Sequence, residues 1–130
     1  MPPKENQALR GFTLIELLVV MAIIAILLSI AAPRYFSHVD KAKDTTLKQN
    51  LSVMRDAIDK FHADTNKYPA ALEELVAKGY LRRIPVDPIT EVNGAWEIVP
   101  PVGSDGDVGV FDIHSKAPGT GHDGVLYSEY

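Results

Sequence analysis

The chain has 130 residues, room for one modest domain beside a membrane segment and too few for several. With a formal net charge of -4, nothing suggests a general nucleic-acid binder, and no nucleic-acid partner is expected. Cysteine is absent, which leaves packing, bound metal or self-assembly to hold a small exported domain together.

Residues Met1 to Gly11 form a short polar leader carrying Lys4 and Arg10. An apolar block follows from Phe12 to Ala32, interrupted only by Thr13, Glu16 and Ser29. About 20 such residues match a hydrocarbon core roughly 30 Å thick. The cations before the block place the leader on the cytoplasmic side and send the C-terminus outward. Glu16 is the anomaly. A carboxylate at bilayer depth costs about 2–3 kcal/mol even on lenient scales, so it needs a partner.

Three fates of this segment compete. A plain signal-anchor helix leaves Glu16 without a role. Secretory cleavage before Ala32 finds small residues in Ser29-Ile30-Ala31, but Pro33 would lie just beyond the new terminus and the helical pattern continues through the cut. Cleavage after Gly11 keeps the helix whole and creates an α-amino group at Phe12. That amine is largely cationic at neutral pH, its reference pKa being about 8. Only this third fate gives Glu16 a purpose.

Gly11-Phe12-Thr13-Leu14-Ile15-Glu16, then Leu17-Leu18-Val19-Val20 and Pro33, resembles the class III signal of type IV pilins and type II secretion pseudopilins. The resemblance implies that a prepilin peptidase cuts between Gly11 and Phe12 and methylates Phe12. It also implies that Glu16 of an incoming subunit meets the Phe12 amine of a neighbour, setting axial register in a helical filament. Four residues separate the two, so the pair can also close within one chain. The helix macrodipole favours the acid at that end and disfavours the amine. Sequence leaves both arrangements open.

Pro33 removes the hydrogen bond to the Ser29 carbonyl and crowds it, which predicts a helix kink. Beyond it, Leu47, Leu51, Met54, Ile58 and Phe61 recur at alternating four and three residues, an apolar stripe able to cover a sheet. Lys41, Lys43, Lys48, Arg55 and Asp59 occupy the other face and read as solvated or subunit-contact groups. One helix from Phe12 to about His62 would be on the order of 75 Å long.

Asn66-Lys67-Tyr68-Pro69 ends it, because the residue before proline avoids helical geometry. A short second helix is predicted from Ala70 to Lys78, closed by Gly79. The segment Tyr80 to Pro88 holds too many prolines for a central strand. Asn93-Gly94 reads as a tight turn into a strand from Ala95 to Val99. A second strand is predicted from Val108 to Ile113, after the loop Gly103 to Asp107. The expected fold is α+β: a long N-terminal helix, transmembrane in its first half and amphipathic in its second, packed on a small antiparallel sheet. Its divisions are a cleaved leader (1–11), a membrane and filament-core helix (12–32) and a globular head (33–130).

Lys67-Tyr68-Pro69, Gly79 to Pro85, Asp87-Pro88, Trp96 and Phe111 to Ser115 resemble the G-type major pseudopilins of type II secretion. The resemblance covers nearly the whole chain after the leader and implies a pilin-like fold. It implies a structural subunit stored in the inner membrane with its C-terminus in the periplasm, polymerising into a homo-oligomeric filament that promotes protein export. Implied partners are minor pseudopilins, an inner-membrane platform protein, an assembly ATPase acting through that platform, and the prepilin peptidase. The alternative is a type IV pilin subunit for adhesion, twitching motility or DNA uptake.

Calcium is also implied by that resemblance, in the loop after the final strand, through aspartates and backbone carbonyls. Here the loop is Ser115 to Gly124, with Asp123 and Asp112 as the candidate ligands. It departs from the family pattern: Gly119 stands where an aspartate follows the proline, and Asp123 alone replaces a paired acid. The competing expectation is a glycine-rich loop held by hydrogen bonds and by Tyr127 or Tyr130 packing on the head. Asp105-Gly106-Asp107 lacks the rest of an EF-hand loop and reads as a solvated turn. There is no nucleophile elbow, His-Glu-x-x-His or phosphate-binding glycine loop, so no enzyme is expected and no cofactor is required.

Overall fold

A computed structural model describes residues 1–3, 10–93, 96–103 and 108–130. Lys4, Gly94, Ala95 and the Asp105-Gly106-Asp107 turn therefore lie outside the described residues. Two compact units divide the chain, Met1–Ser37 and His38–Tyr130, and helix α1 (Leu14–Thr65) contributes to both.

In the first unit, α1 is unbroken through Pro33, and the Ser29 hydroxyl donates to the Ile26 carbonyl at 2.6 Å. Every residue from Gly11 through His38 is exposed. An apolar surface of that extent is incompatible with life as an isolated soluble monomer, since free proteins rarely expose large contiguous apolar patches. Length and composition suffice for this helix to cross a membrane.

The second unit is α+β. All five stripe residues of α1 are buried, from Leu47 through Leu51, Met54 and Ile58 to Phe61, joined by Ala57. They pack against Leu72 and Leu75 of the short helix α2 (Leu72–Ala77), against Leu81, and against Trp96, Val110 and Ile113 around the sheet. Asn66 stops α1 by taking a left-handed conformation (φ 57°), its N–H still donating to His62 O at 2.8 Å.

Helix α2 is shorter than the predicted Ala70 to Lys78 at both ends. Ala71 supplies no side-chain cap, and the Glu74 carboxylate instead accepts from Ala70 N–H at 2.7 Å. Gly79 closes it with φ 83°: its N–H donates to Val76 O, and the Tyr80 N–H to Leu75 O. That pair of bonds is a Schellman ending, which needs the left-handed residue glycine supplies.

Strand β1 (Trp96–Val99) runs antiparallel to β2 (Asp112–Ser115), with Trp96 opposite Ser115 and Val99 opposite Asp112. The second strand thus begins four residues later than the predicted Val108 and ends two beyond Ile113. Val110 is apolar and buried, but its N–H donates to Pro69 O at 2.8 Å rather than to a ladder. Gly109 (φ 150°) makes this possible, since a Cβ there would come within 3.3 Å of the Pro69 carbonyl. In β2, Ile113 and Ser115 face inward.

Asp87 is fully buried in the loop between α2 and β1. Its Oδ1 accepts from the N–H groups of Ile89 (2.8 Å) and Thr90 (3.3 Å), and its Oδ2 from the Ser115 hydroxyl. Trp96 Nε1 donates to Pro85 O at 2.8 Å, so the proline-rich segment is tied to the sheet twice.

Candidate functional site

At the start of α1, Thr13 and Glu16 exchange hydrogen bonds. The Glu16 N–H donates to Thr13 Oγ1 at 3.2 Å, and the Thr13 N–H donates to Glu16 Oε2 at 2.9 Å. Thr13 O accepts from Leu17 N–H, the first helical bond. This is a capping box, two otherwise orphaned N–H groups satisfied reciprocally. The Thr13-x-x-Glu16 spacing announces it, whereas the sequence reading weighs only the Phe12 amine, in the same chain or a neighbour, as the partner of Glu16. Glu16 sits at the positive end of the helix dipole, where a carboxylate is favoured.

Cap and candidate processing site are adjacent. Glu16 Oε2 binds the N–H next after Phe12, while Oε1 carries no hydrogen bond among the described residues. One carboxylate oxygen is therefore engaged in holding the helix start and the other is available to a second donor. Phe12 is 92% exposed and lines, with Ile15, Glu16, Val19 and Val20, a shallow groove of about 410 Å³. Among the described residues, its chain neighbours apart, no atom lies within 4 Å of the position a Cβ on Gly11 would take.

The second candidate lies in the head, where the C-terminal segment returns to α1. Lys48 Nζ donates to Asp123 Oδ2 at 2.6 Å and stands 4.6 Å from the Tyr130 ring centroid. Asp123 Oδ1 accepts from the Tyr130 hydroxyl at 2.8 Å and from Val125 N–H at 3.2 Å. Asp44, buried on α1, accepts from the Tyr127 hydroxyl at 2.7 Å and from His122 N–H at 2.5 Å. Arg55 donates from Nε to Asp112 Oδ1 at 2.7 Å and from Nη2 to the main-chain oxygens of Ile113 and Tyr130.

On the polar face of α1, Lys41 and Asp59 are exposed as expected, while three of its cations have partners within the chain. Lys48 and Arg55 are intramolecular clamps, and Lys43 also pairs with Glu91 at 3.4 Å. The two candidate calcium ligands are placed on separate cations, Asp112 on Arg55 and Asp123 on Lys48. Among the described residues no group of three or more His, Asp or Glu side chains gathers where it could hold a metal ion. The donor set as folded does not fit calcium, which takes six to eight oxygens. Tyr127 and Tyr130 pack edge to face, and both are packed against the hydrophobic core of the head.

The ammonium of Lys48, then the Tyr130 hydroxyl, hold the Asp123 carboxyl down at about 2. Desolvation, followed by the bond to Asp44, pushes the Tyr127 hydroxyl up to about 12, and desolvation followed by Asp123 raises that of Tyr130. A depressed acid contributes stability that is complete above its unfolded pKa and lost as pH falls through the folded one. Wild type should therefore exceed Asp123→Asn in stability above about pH 4, the gap closing towards pH 2. Denaturant midpoints of the two chains across that window check it. The gap is modest because the pair is half exposed.

Residues 8–32 match the prokaryotic N-terminal methylation motif. Three similar proteins are each named type II secretion system core protein G. That of Klebsiella michiganensis is 31% identical, with 91% of this chain and 92% of the relative aligned. The Pseudomonas aeruginosa protein is 34% identical over 81% of this chain and 80% of its own. The Escherichia coli K12 protein is 31% identical over 84% and 81%. No solved structure matches.

Proposed function

The chain belongs to the type II secretion system core protein G family, the major pseudopilins, and from that membership we propose how its two units are used. It is a structural subunit of the type II secretion pseudopilus. A type IV pilin role in adhesion, motility or DNA uptake is not favoured, because the relatives that cover most of the chain are secretion proteins.

In this proposal α1 is held in the inner membrane with the head in the periplasm, after cleavage between Gly11 and Phe12 and methylation of Phe12. The exposed apolar face then leaves lipid for a core made of the same face on neighbouring copies. Glu16 keeps Oε2 on its own helix cap and offers Oε1 to the Phe12 amine of a neighbour. Pro33 gives the helix a point of local loosening during that transfer. A prepilin peptidase, minor pseudopilins, a platform protein and an ATPase acting through it complete the machine, and the chain itself performs no catalytic step.

The observation that carries this reading is the wholly exposed apolar block from Phe12 to Ala32, whose helix starts at a capping carboxylate. A deletion strain tests it. Export of type II cargo should fall to background and return with the wild-type gene, while twitching is unaffected. Intact export with lost surface motility would assign the chain to the other filament.

A further inference from the structure

We infer that the C-terminal segment of this chain is pinned to helix α1 by two of the protein's own cations, Lys48 and Arg55, so that the head needs no calcium. The related loops are expected to be staked down by a divalent ion among oxygen ligands. Here the carboxylates that such an ion would collect already face donors of the chain itself.

Both carboxylate oxygens of Asp123 are engaged, Oδ2 by the Lys48 ammonium and Oδ1 by Tyr130 and Val125. Both oxygens of Asp44 are engaged by Tyr127 and His122. Asp112 Oδ1 accepts from Arg55 and from Ile113 N–H, and its Oδ2 faces His114 Nε2 at 3.7 Å. Three carbonyls of the segment are used as well: Gly119 O accepts from Tyr127 N–H, Gly121 O from Gly124, and Val125 O from Gly121. A divalent ion would have to expel an ammonium and break neutral bonds to gain its ligands.

The arrangement is built, not incidental. Gly121 leaves room for the Tyr130 hydroxyl, which would lie 1.6 Å from a Cβ placed there. That hydroxyl reaches Asp123 while its ring takes the Lys48 cation on one face, an interaction favoured by the ring quadrupole. Arg55 ties three acceptors at once: Asp112 and Ile113 O in β2, and Tyr130 O in the last turn. A monovalent ammonium on one carboxylate thus stands where a paired acid would otherwise require a dication.

The test uses the full processed chain in detergent micelles, with fluorescence of Trp96, the one tryptophan, reporting on the head. Thermal midpoints are read in excess calcium chloride and in EGTA. The expected result is one midpoint in both solutions, to within about 1 °C. An ion bound at a hundredfold excess over its Kd would instead raise it by about 10 °C or more, overturning the inference without recourse to any variant. Lys48→Met and Arg55→Met should each lower the midpoint in both solutions, by about 2–5 °C for the half-exposed lysine. Unchanged midpoints in both variants would equally overturn it. The inference concerns the head alone, so its failure leaves the filament role intact.

Discussion

Glu16→Gln is expected to reach the membrane with its helix still capped, yet to assemble about a hundred- to a thousandfold more weakly than wild type. Glutamine serves the capping box as glutamate does, because its side-chain oxygen can accept from the Thr13 N–H. What it lacks is charge. Removing one partner of a buried ion pair costs about 3–5 kcal/mol, because the other is stranded, and each 1.4 kcal/mol is about tenfold in association. Glu16→Ala loses cap and charge together and separates the two less cleanly. Filament yield against the membrane-inserted pool is the measurement, and wild-type yield from the glutamine variant would remove the pairing role.

Gly11→Val should be the second severe lesion, and for a reason outside the fold. Among the described residues, its two chain neighbours apart, no atom lies within 4 Å of a Cβ at this position, so none of them demands glycine. The demand comes from whatever reads the bond. Uncut, Phe12 keeps an amide nitrogen without charge, and Glu16 of any neighbour finds no cation. Gly11→Val should fold and insert like wild type, retain its leader, and contribute no subunits to filaments. Normal assembly from uncleaved chains, seen by leader-specific blotting of sheared filaments, would contradict this.

The parts of the molecule legible in its sequence are those whose physics is local or periodic. Leu47 to Phe61 announces a buried stripe because burial on a helix repeats at the helical period, and each of its five residues is buried. Gly79 announces the end of α2 because only a left-handed residue completes that turn. The second strand was displaced because Val108 and Val110 look like strand residues locally, while the N–H of Val110 is claimed by Pro69, some 41 positions earlier. Lys48 and Arg55 looked solvated for the same reason: their carboxylate partners lie 75 and 57 residues further on. Asp44 is the missed signal of the head. It stands three residues before Leu47 on the apolar stripe, and a polar residue there has to find donors, which it does in Tyr127 and His122. Thr13-x-x-Glu16 is the missed signal of the membrane segment, and it changes the account of Glu16 from a carboxylate waiting for a partner to one already half employed.

Intact-mass spectrometry of subunits drawn from the membrane and from filaments asks most directly whether the scissile bond yields the amine on which assembly depends. Both pools should weigh as a chain starting at Phe12 and carrying one added methyl group. A first residue of Met1, or of Ala32, in assembled material would mean that no charged Phe12 terminus exists for Glu16 to meet.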